Sequence, residues 1–312
     1  MKKIFFIVGV ITLIVLGIYG AVSYSNNKTP NDSSKVTIVT TLFPLYDFAR
    51  SIGQDKVEVS LLLPSGVEAH SFEPTPSDIV AINEADLFVY TGEFMEPWAA
   101  DIIKGMSGSD VKVVNSSVGI EMIPAIFHDE DEPEGSMDPH VWLDFDNDKI
   151  MVDTITAALA EKDPANADFY RKNAADYKNS LALLDAKYAA GLSRCQSKEI
   201  VYGGHYAFGY LAKRYNLNYS AAQGASPDSE PTTEDLVALV EQIKKDNIKY
   251  VFYEELTTPK IAETLANETQ AEMLLLNAAH NVSKEDFEND VTFLSIMEKN
   301  LANLKIGLQC SE

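Results

Sequence analysis

The sequence predicts an α/β protein: two α/β lobes with mostly parallel sheets, joined by one long rigid helix. Three observations carry this. Short β-rich runs alternate with helical stretches from residue 36 onward, the order that builds a parallel sheet with helices on its faces. The same alternation recurs in the second half of the chain. Between the halves lies a run of about 27 residues with apolar positions at helical spacing and no glycine until Gly191, roughly 40 Å of helix. A length of 312 residues suits two compact domains, and 46 % hydrophobic with 23 % charged content is ordinary for a globular chain.

The chain opens with Met1-Lys2-Lys3, an apolar run over 4–22 and the small residues Ala21-Val22-Ser23, the pattern of an export signal. The run is nearly long enough to span a bilayer, so 1–23 reads either as a cleaved signal peptide or as an uncleaved membrane anchor. Both readings place the remainder outside the cytoplasm, in the periplasm or on the outer face of the cytoplasmic membrane. No Cys directly follows the run to accept a lipid. Residues 24–35 are polar, lack apolar periodicity and read as a flexible tether.

In the N-terminal lobe, 36–163, strands are expected over 36–41, 57–63, 87–90 and 111–114, where β-branched and aromatic residues concentrate. The clearest helix start is Thr75-Pro76-Ser77-Asp78, with an N-cap Thr, Pro at the first helical position and an acid in the first turn. The linking helix is expected over 164–192, carrying Phe169, Tyr170, Tyr177, Leu181, Leu184 and Tyr188 at helical spacing. As the only covalent link it would make a stiff connector beside a cleft that closes modestly.

In the C-terminal lobe, 193–312, strands are expected over 199–202, 217–221, 250–253 and 273–276, and helices over 206–215, 233–246 and 259–269. One last helix is expected from the capping box of Ser283 and Asp286, with Phe287, Val291, Leu294, Met297, Leu301, Leu304 and Leu308 on one face. The two cysteines, Cys195 and Cys310, favour a disulfide in an exported chain, which would pin the last helix to the start of this lobe.

Acidic residues number 47 against 25 basic ones, for a formal charge of −22. So negative a chain repels phosphate backbones, which argues against nucleic acid as a partner and favours cations. Five histidines are spread along the chain. His70, His205 and His280 each follow a predicted strand, at the sheet edge where open α/β folds bind ligands. His140 lies in Asp138-Pro139-His140-Val141-Trp142-Leu143-Asp144, between two carboxylates, Asp138 and Asp144, able to accept its other N–H as metal-bound imidazoles require. Two imidazoles from each lobe would make a four-nitrogen tetrahedral metal site in the interlobe cleft. Zn²⁺ suits that set, whereas Mn²⁺ favours oxygen. His128 begins an acidic stretch over 128–134, read as a solvated charge run.

At these residues the chain resembles the metal-specific substrate-binding proteins of ABC importers, a family containing zinc-binding periplasmic proteins and manganese-binding lipoprotein adhesins. The resemblance runs from Val36 to the C-terminus. It rests on His70-Ser71-Phe72-Glu73-Pro74-Thr75-Pro76-Ser77-Asp78, Ala85-Asp86-Leu87, Glu96-Pro97-Trp98, the segment around His140, His205-Tyr206-Ala207-Phe208-Gly209-Tyr210 and Glu230-Pro231-Thr232. It implies two α/β lobes bridged by one long helix, and metal ligands at His70, His140 and His205. The family's fourth ligand is usually an acid after the last strand. Here Asn277 stands where many members carry Asp, so His280 is the expected fourth ligand, with Glu254 or Glu255 as the alternative.

The resemblance implies a monomeric, extracytoplasmic protein that captures Zn²⁺ and delivers it to an ABC permease; a manganese-binding member is the alternative, and a surface adhesin a further label used in the family. The chain has no G-x-x-x-x-G-K-[ST] nucleotide loop and so depends on a membrane partner for transport. A zinc hydrolase is the competing reading. It needs an open water position beside a general base, and neither H-E-x-x-H nor G-x-S-x-G occurs.

Overall fold

A computed structural model describes residues 35–106, 108–125, 135–224 and 230–311. The expected signal or anchor over 1–23, nearly all of the tether and His128 lie outside the described residues. No described helix is long and apolar enough to cross a membrane.

The first lobe contains β1 (Val36–Thr40), α1 (Phe43–Gly53), β2 (Val57–Leu61), α2 (Pro76–Glu84), β3 (Leu87–Tyr90), α3 (Ala99–Gly105) and β4 (Lys112–Asn115). Its strands are all parallel in the order β2-β1-β3-β4, with Val36 opposite Val57, Ile38 opposite Leu87 and Leu87 opposite Lys112. The second lobe contains β5 (Glu199–Tyr202), α6 (Gly209–Tyr215), β6 (Asn218–Ala221), α7 (Thr233–Lys245), β7 (Tyr250–Tyr253), α8 (Lys260–Thr269) and β8 (Glu272–Leu275). Its order, β6-β5-β7-β8, repeats the first, again fully parallel. In each sheet the strand order reverses beside the first strand, and the crevice at the carboxyl ends there is where such folds bind ligands.

The first lobe ends in α4 (Phe145–Lys162), which packs against α1, and the long linking helix α5 (Ala167–Leu192) follows and packs against α4. The long helix is therefore not a bare rod. Toward its start Asn173 donates to the Ile52 carbonyl at 2.9 Å and Tyr177 to Asp47 at 2.9 Å, both on α1. Toward its end the Tyr188 hydroxyl donates to the Met297 carbonyl at 2.6 Å in the second lobe. Asp47 also accepts from the Phe293 backbone at 3.2 Å, tying three helices together. Burial pushes its carboxyl pKa up, although both hydrogen bonds work the other way. One hydrophobic cluster runs through both lobes and includes Tyr177, Leu181, Leu184 and Tyr188.

Most predicted element positions hold to within a residue or two. Thr75 caps α2, as read from the sequence, and does so in a reciprocal box with Asp78. The expected single terminal helix is instead two, α9 (Lys284–Glu288) and α10 (Phe293–Gly307). Asp290 adopts φ 51°, and Thr292 opens the second helix with its own capping box to Ser295. The break re-phases the stripe: Phe293 and Ile296 are buried, whereas Phe287 and Val291 are only partly so.

Cys195 and Cys310 form a disulfide across a separation of 115 residues. The end of the chain also runs alongside residues 194–197, with Ser197 donating to Leu308 at 3.1 Å and Ser311 to Arg194 at 3.1 Å. A closed loop of this size restricts the unfolded chain, so replacing both cysteines by serine is expected to lower stability by about 2–4 kcal/mol. Denaturant titration checks this, and an unchanged midpoint would contradict it.

Candidate metal centre

Four side chains from four separate segments meet at the carboxyl edges of the two sheets. His70 lies on the loop between β2 and α2, and His140 immediately precedes a 3-10 turn over Val141–Leu143. His205 follows β5, and His280 follows β8. One ring nitrogen from each falls within 4.8 Å of the other three. The His140 Nε2 is 3.2 Å from the His70 Nε2 and 3.2 Å from the His205 Nε2. Four nitrogens at about 2.0–2.1 Å from a central ion stand about 3.3–3.4 Å apart in a tetrahedron, so these spacings suit a small divalent ion. His140 and His205 are fully buried and His280 nearly so; His70 keeps a partly exposed edge.

Carboxylates face the far nitrogens of three rings. Asp138 lies 2.7 Å from the Nδ1 of His140 and also accepts its backbone N–H at 3.0 Å. Glu254 lies 2.6 Å from the Nδ1 of His205, and Glu255 3.9 Å from that of His280. Glu255 is fixed by the Ala278 N–H, 3.0 Å from each of its oxygens. Glu254 and Glu255 thus stand behind the imidazoles and not beside them. Asp144 departs from expectation. The 3-10 turn carries it away from His140, and it caps α4 through the Asp146 N–H at 2.8 Å and pairs with Arg214 at 2.7 Å.

The loops that carry the ligands are closely fitted. The Trp142 indole donates to the Ala278 carbonyl at 2.8 Å, and its ring lies 5.5 Å from His140 and 5.1 Å from His280. The Tyr210 hydroxyl donates to the Asp138 carbonyl at 3.0 Å and accepts from the Ile123 N–H at 3.1 Å. Ala279, just before His280, takes φ 61°, and its N–H is accepted by the Asn277 side chain at 2.7 Å. Two glycines let the carboxylates approach: a Cβ on Gly204 would lie 2.6 Å from Glu254, and one on Gly209 2.6 Å from Asp138. The sequence reading did not single out Gly204 or Gly209 for this role, although both flank His205 within four residues.

Electrostatics divide the rings. Burial, then the neighbouring imidazoles, hold His70 and His140 well below the usual imidazole pKa, so both present lone pairs at neutral pH. For His205 burial is the largest influence and opposes charge, but the carboxylates of Glu254, Glu255 and Glu68 together outweigh it and the pKa is raised. Replacing Asp138 by asparagine is expected to weaken metal affinity by about 10–100-fold, since the outer partner that orients His140 and increases its basicity is lost. Competition with a chromophoric chelator measures this, and an unchanged affinity would contradict it.

The chain is similar in sequence and fold to known proteins. The family model described as "ZnuA: Zinc-uptake complex component A periplasmic" matches residues 38–307. The "High-affinity zinc uptake system protein ZnuA" of Bacillus subtilis (strain 168) is 39 % identical over 296 residues, covering 91 % of this chain and 92 % of that protein. The "Zinc-binding lipoprotein AdcA" of Streptococcus pneumoniae serotype 4 is 35 % identical over 291 residues; the match covers 91 % of this chain but only 58 % of AdcA. The crystal structure of the Zn(II)-bound ZnuA-like domain of S. pneumoniae AdcA superposes with a TM-score of 0.77 at 35 % identity, over 88 % of this chain and 99 % of that one. With a parallel two-lobed fold, a four-histidine cluster and a family match over nearly all the described residues, this chain belongs to the ZnuA family of periplasmic zinc-uptake components.

Proposed function

We propose that the protein is the extracytoplasmic zinc-binding component of an ABC importer, holding one Zn²⁺ through His70, His140, His205 and His280 and passing it to a membrane permease. The observation that carries this is the convergence of four imidazole nitrogens, two pairs of them 3.2 Å apart, from segments far apart in sequence. In this reading residues 36–163 and 193–312 are the lobes, 164–192 is the connector, and the cargo sits between the lobes. One chain supplies all four ligands, so a monomer suffices.

The donor set argues for zinc over manganese, because four neutral nitrogens suit a borderline ion better than one that favours oxygen. It argues equally against a hydrolase, since four protein ligands leave no open position for a nucleophilic water. Binding through the Nε2 of His205 requires that nitrogen to be unprotonated, with the Glu254 carboxylate 2.6 Å from Nδ1 on the far side of the ring. Calorimetry in buffers of different ionisation enthalpy is expected to give one zinc per chain and a net proton release that grows as pH is lowered toward the range where His205 is protonated. No proton release would contradict the role of the His205–Glu254 pair. A stoichiometry other than one, or zinc binding no tighter than manganese binding, would sink the proposed function.

A further inference from the structure

We propose that Asn281 is a positioning residue that sets the place of the His70 nitrogen; this rests on the four-histidine reading of the centre. His70 is carried on an irregular loop between β2 and α2, and it is the least buried of the four rings. On its C-terminal side the loop is anchored by Phe72, whose ring meets Trp98 edge-on at 6.2 Å. On its N-terminal side the anchor comes from the other half of the chain. Asn281 is buried, and its side-chain amide donates to both the Pro64 carbonyl at 2.7 Å and the Val67 carbonyl at 2.9 Å. Alongside, the Gly66 N–H donates to the Val282 carbonyl at 2.9 Å, with Gly66 at φ 81°.

The clamp is itself fixed. The Val282 N–H donates to the Asn281 side-chain oxygen at 2.8 Å, which points the amide nitrogen toward the loop. The His280 carbonyl accepts from the Phe43 N–H at 3.0 Å at the start of α1. One segment, 280–282, therefore carries a ring of the cluster and grips the loop of another. Two hydrogen bonds from one buried amide fix the backbone at Pro64 and Val67, and leaving that buried amide without acceptors carries a desolvation penalty, so the loop is held in the geometry that satisfies it. The one amide nitrogen of Asn281 carries two N–H donors, one for each carbonyl; aspartate has the same shape but would set an acceptor against two acceptors.

The test is zinc affinity, by chelator competition, for the wild type, Asn281→Ala, Asn281→Asp, His70→Ala and the double variant His70→Ala/Asn281→Ala. Each Asn281 variant is expected to bind about 10–100-fold more weakly, the range for an outer partner that orients a ligand. Because the residue acts through His70, the double variant is expected to bind no more weakly than His70→Ala alone. Asn281 variants within twofold of the wild type, or a double variant that loses a further tenfold, would overturn the proposal. If those variants do not fold, Asn281→Ser, which keeps one donor, is measured in the same way: weaker zinc binding that disappears in the His70→Ala background supports the clamp, and affinity within twofold of the wild type overturns it. Failure of the wild type to bind zinc would remove the four-histidine reading and this proposal with it. Tight wild-type binding with unaffected Asn281 variants removes this proposal alone.

Discussion

Replacing His140 by alanine is expected to weaken zinc binding by more than about 100-fold, beyond the 10–100-fold typical of losing an outer partner. The ring is central to the cluster, with its Nε2 3.2 Å from two other imidazole nitrogens. Its removal takes away one of four donors and opens a void beside Trp142, which packs against it at 5.5 Å. It also leaves Asp138 buried without the ring it faces at 2.7 Å, so the metal-free protein should lose stability as well. Affinity by competition titration and melting temperature without metal measure the two effects separately. Affinity within threefold of the wild type would remove His140 from the site.

Acidification is expected to strip the metal completely by pH 4, in two stages whose slopes differ. Because its pKa is raised, His205 takes up a proton in competition with zinc at higher pH than His70 and His140 do, so the apparent affinity should begin to fall through its titration first. His70 and His140 have depressed pKa values, so they yield to protons only well below their unperturbed value of about 6.5, where the slope should steepen. The metal-free fold follows the same logic. Below about pH 6.5 the unfolded chain takes up protons at His70 and His140 that the folded chain refuses, so stability falls as pH falls. His205 contributes in the opposite sense: its stabilisation is present below about pH 6.5 and lost as pH rises through its raised folded value. Equilibrium dialysis across pH 4 to 8 follows the release, and full occupancy at pH 4 would refute the imidazole shell.

Much of this architecture is written in short-range patterns. Strand and helix positions follow from β-branched runs, from caps such as Thr75 with Asp78, and from the apolar spacing of Tyr170, Tyr177, Leu181 and Tyr188. These depend on neighbours within a few residues, which a single sequence displays directly. The four histidines were identifiable for a related reason: three follow strands, and the carboxyl edge of a parallel sheet is a fixed direction once the strands are known.

Other features had no local trace. Asp138 and Asp144 flank His140 symmetrically in sequence, yet only a turn in three dimensions selects Asp138 and sends Asp144 to Arg214 on α6. Glu254 and Glu255 carried the right chemistry for ligands, but β7 places them behind the rings of His205 and His280. The terminal stripe concealed a break at Asp290 and Thr292, because a helical period continues through a sequence whether or not the backbone does. Asn281 gripping the loop 64–67 joins residues more than two hundred positions apart. Periodicity and capping act over one or two turns of chain and leave their mark in composition. Convergence of distant segments is settled by sheet register and side-chain packing, where one neighbour among many wins by distance, and no stretch of residues records that outcome alone.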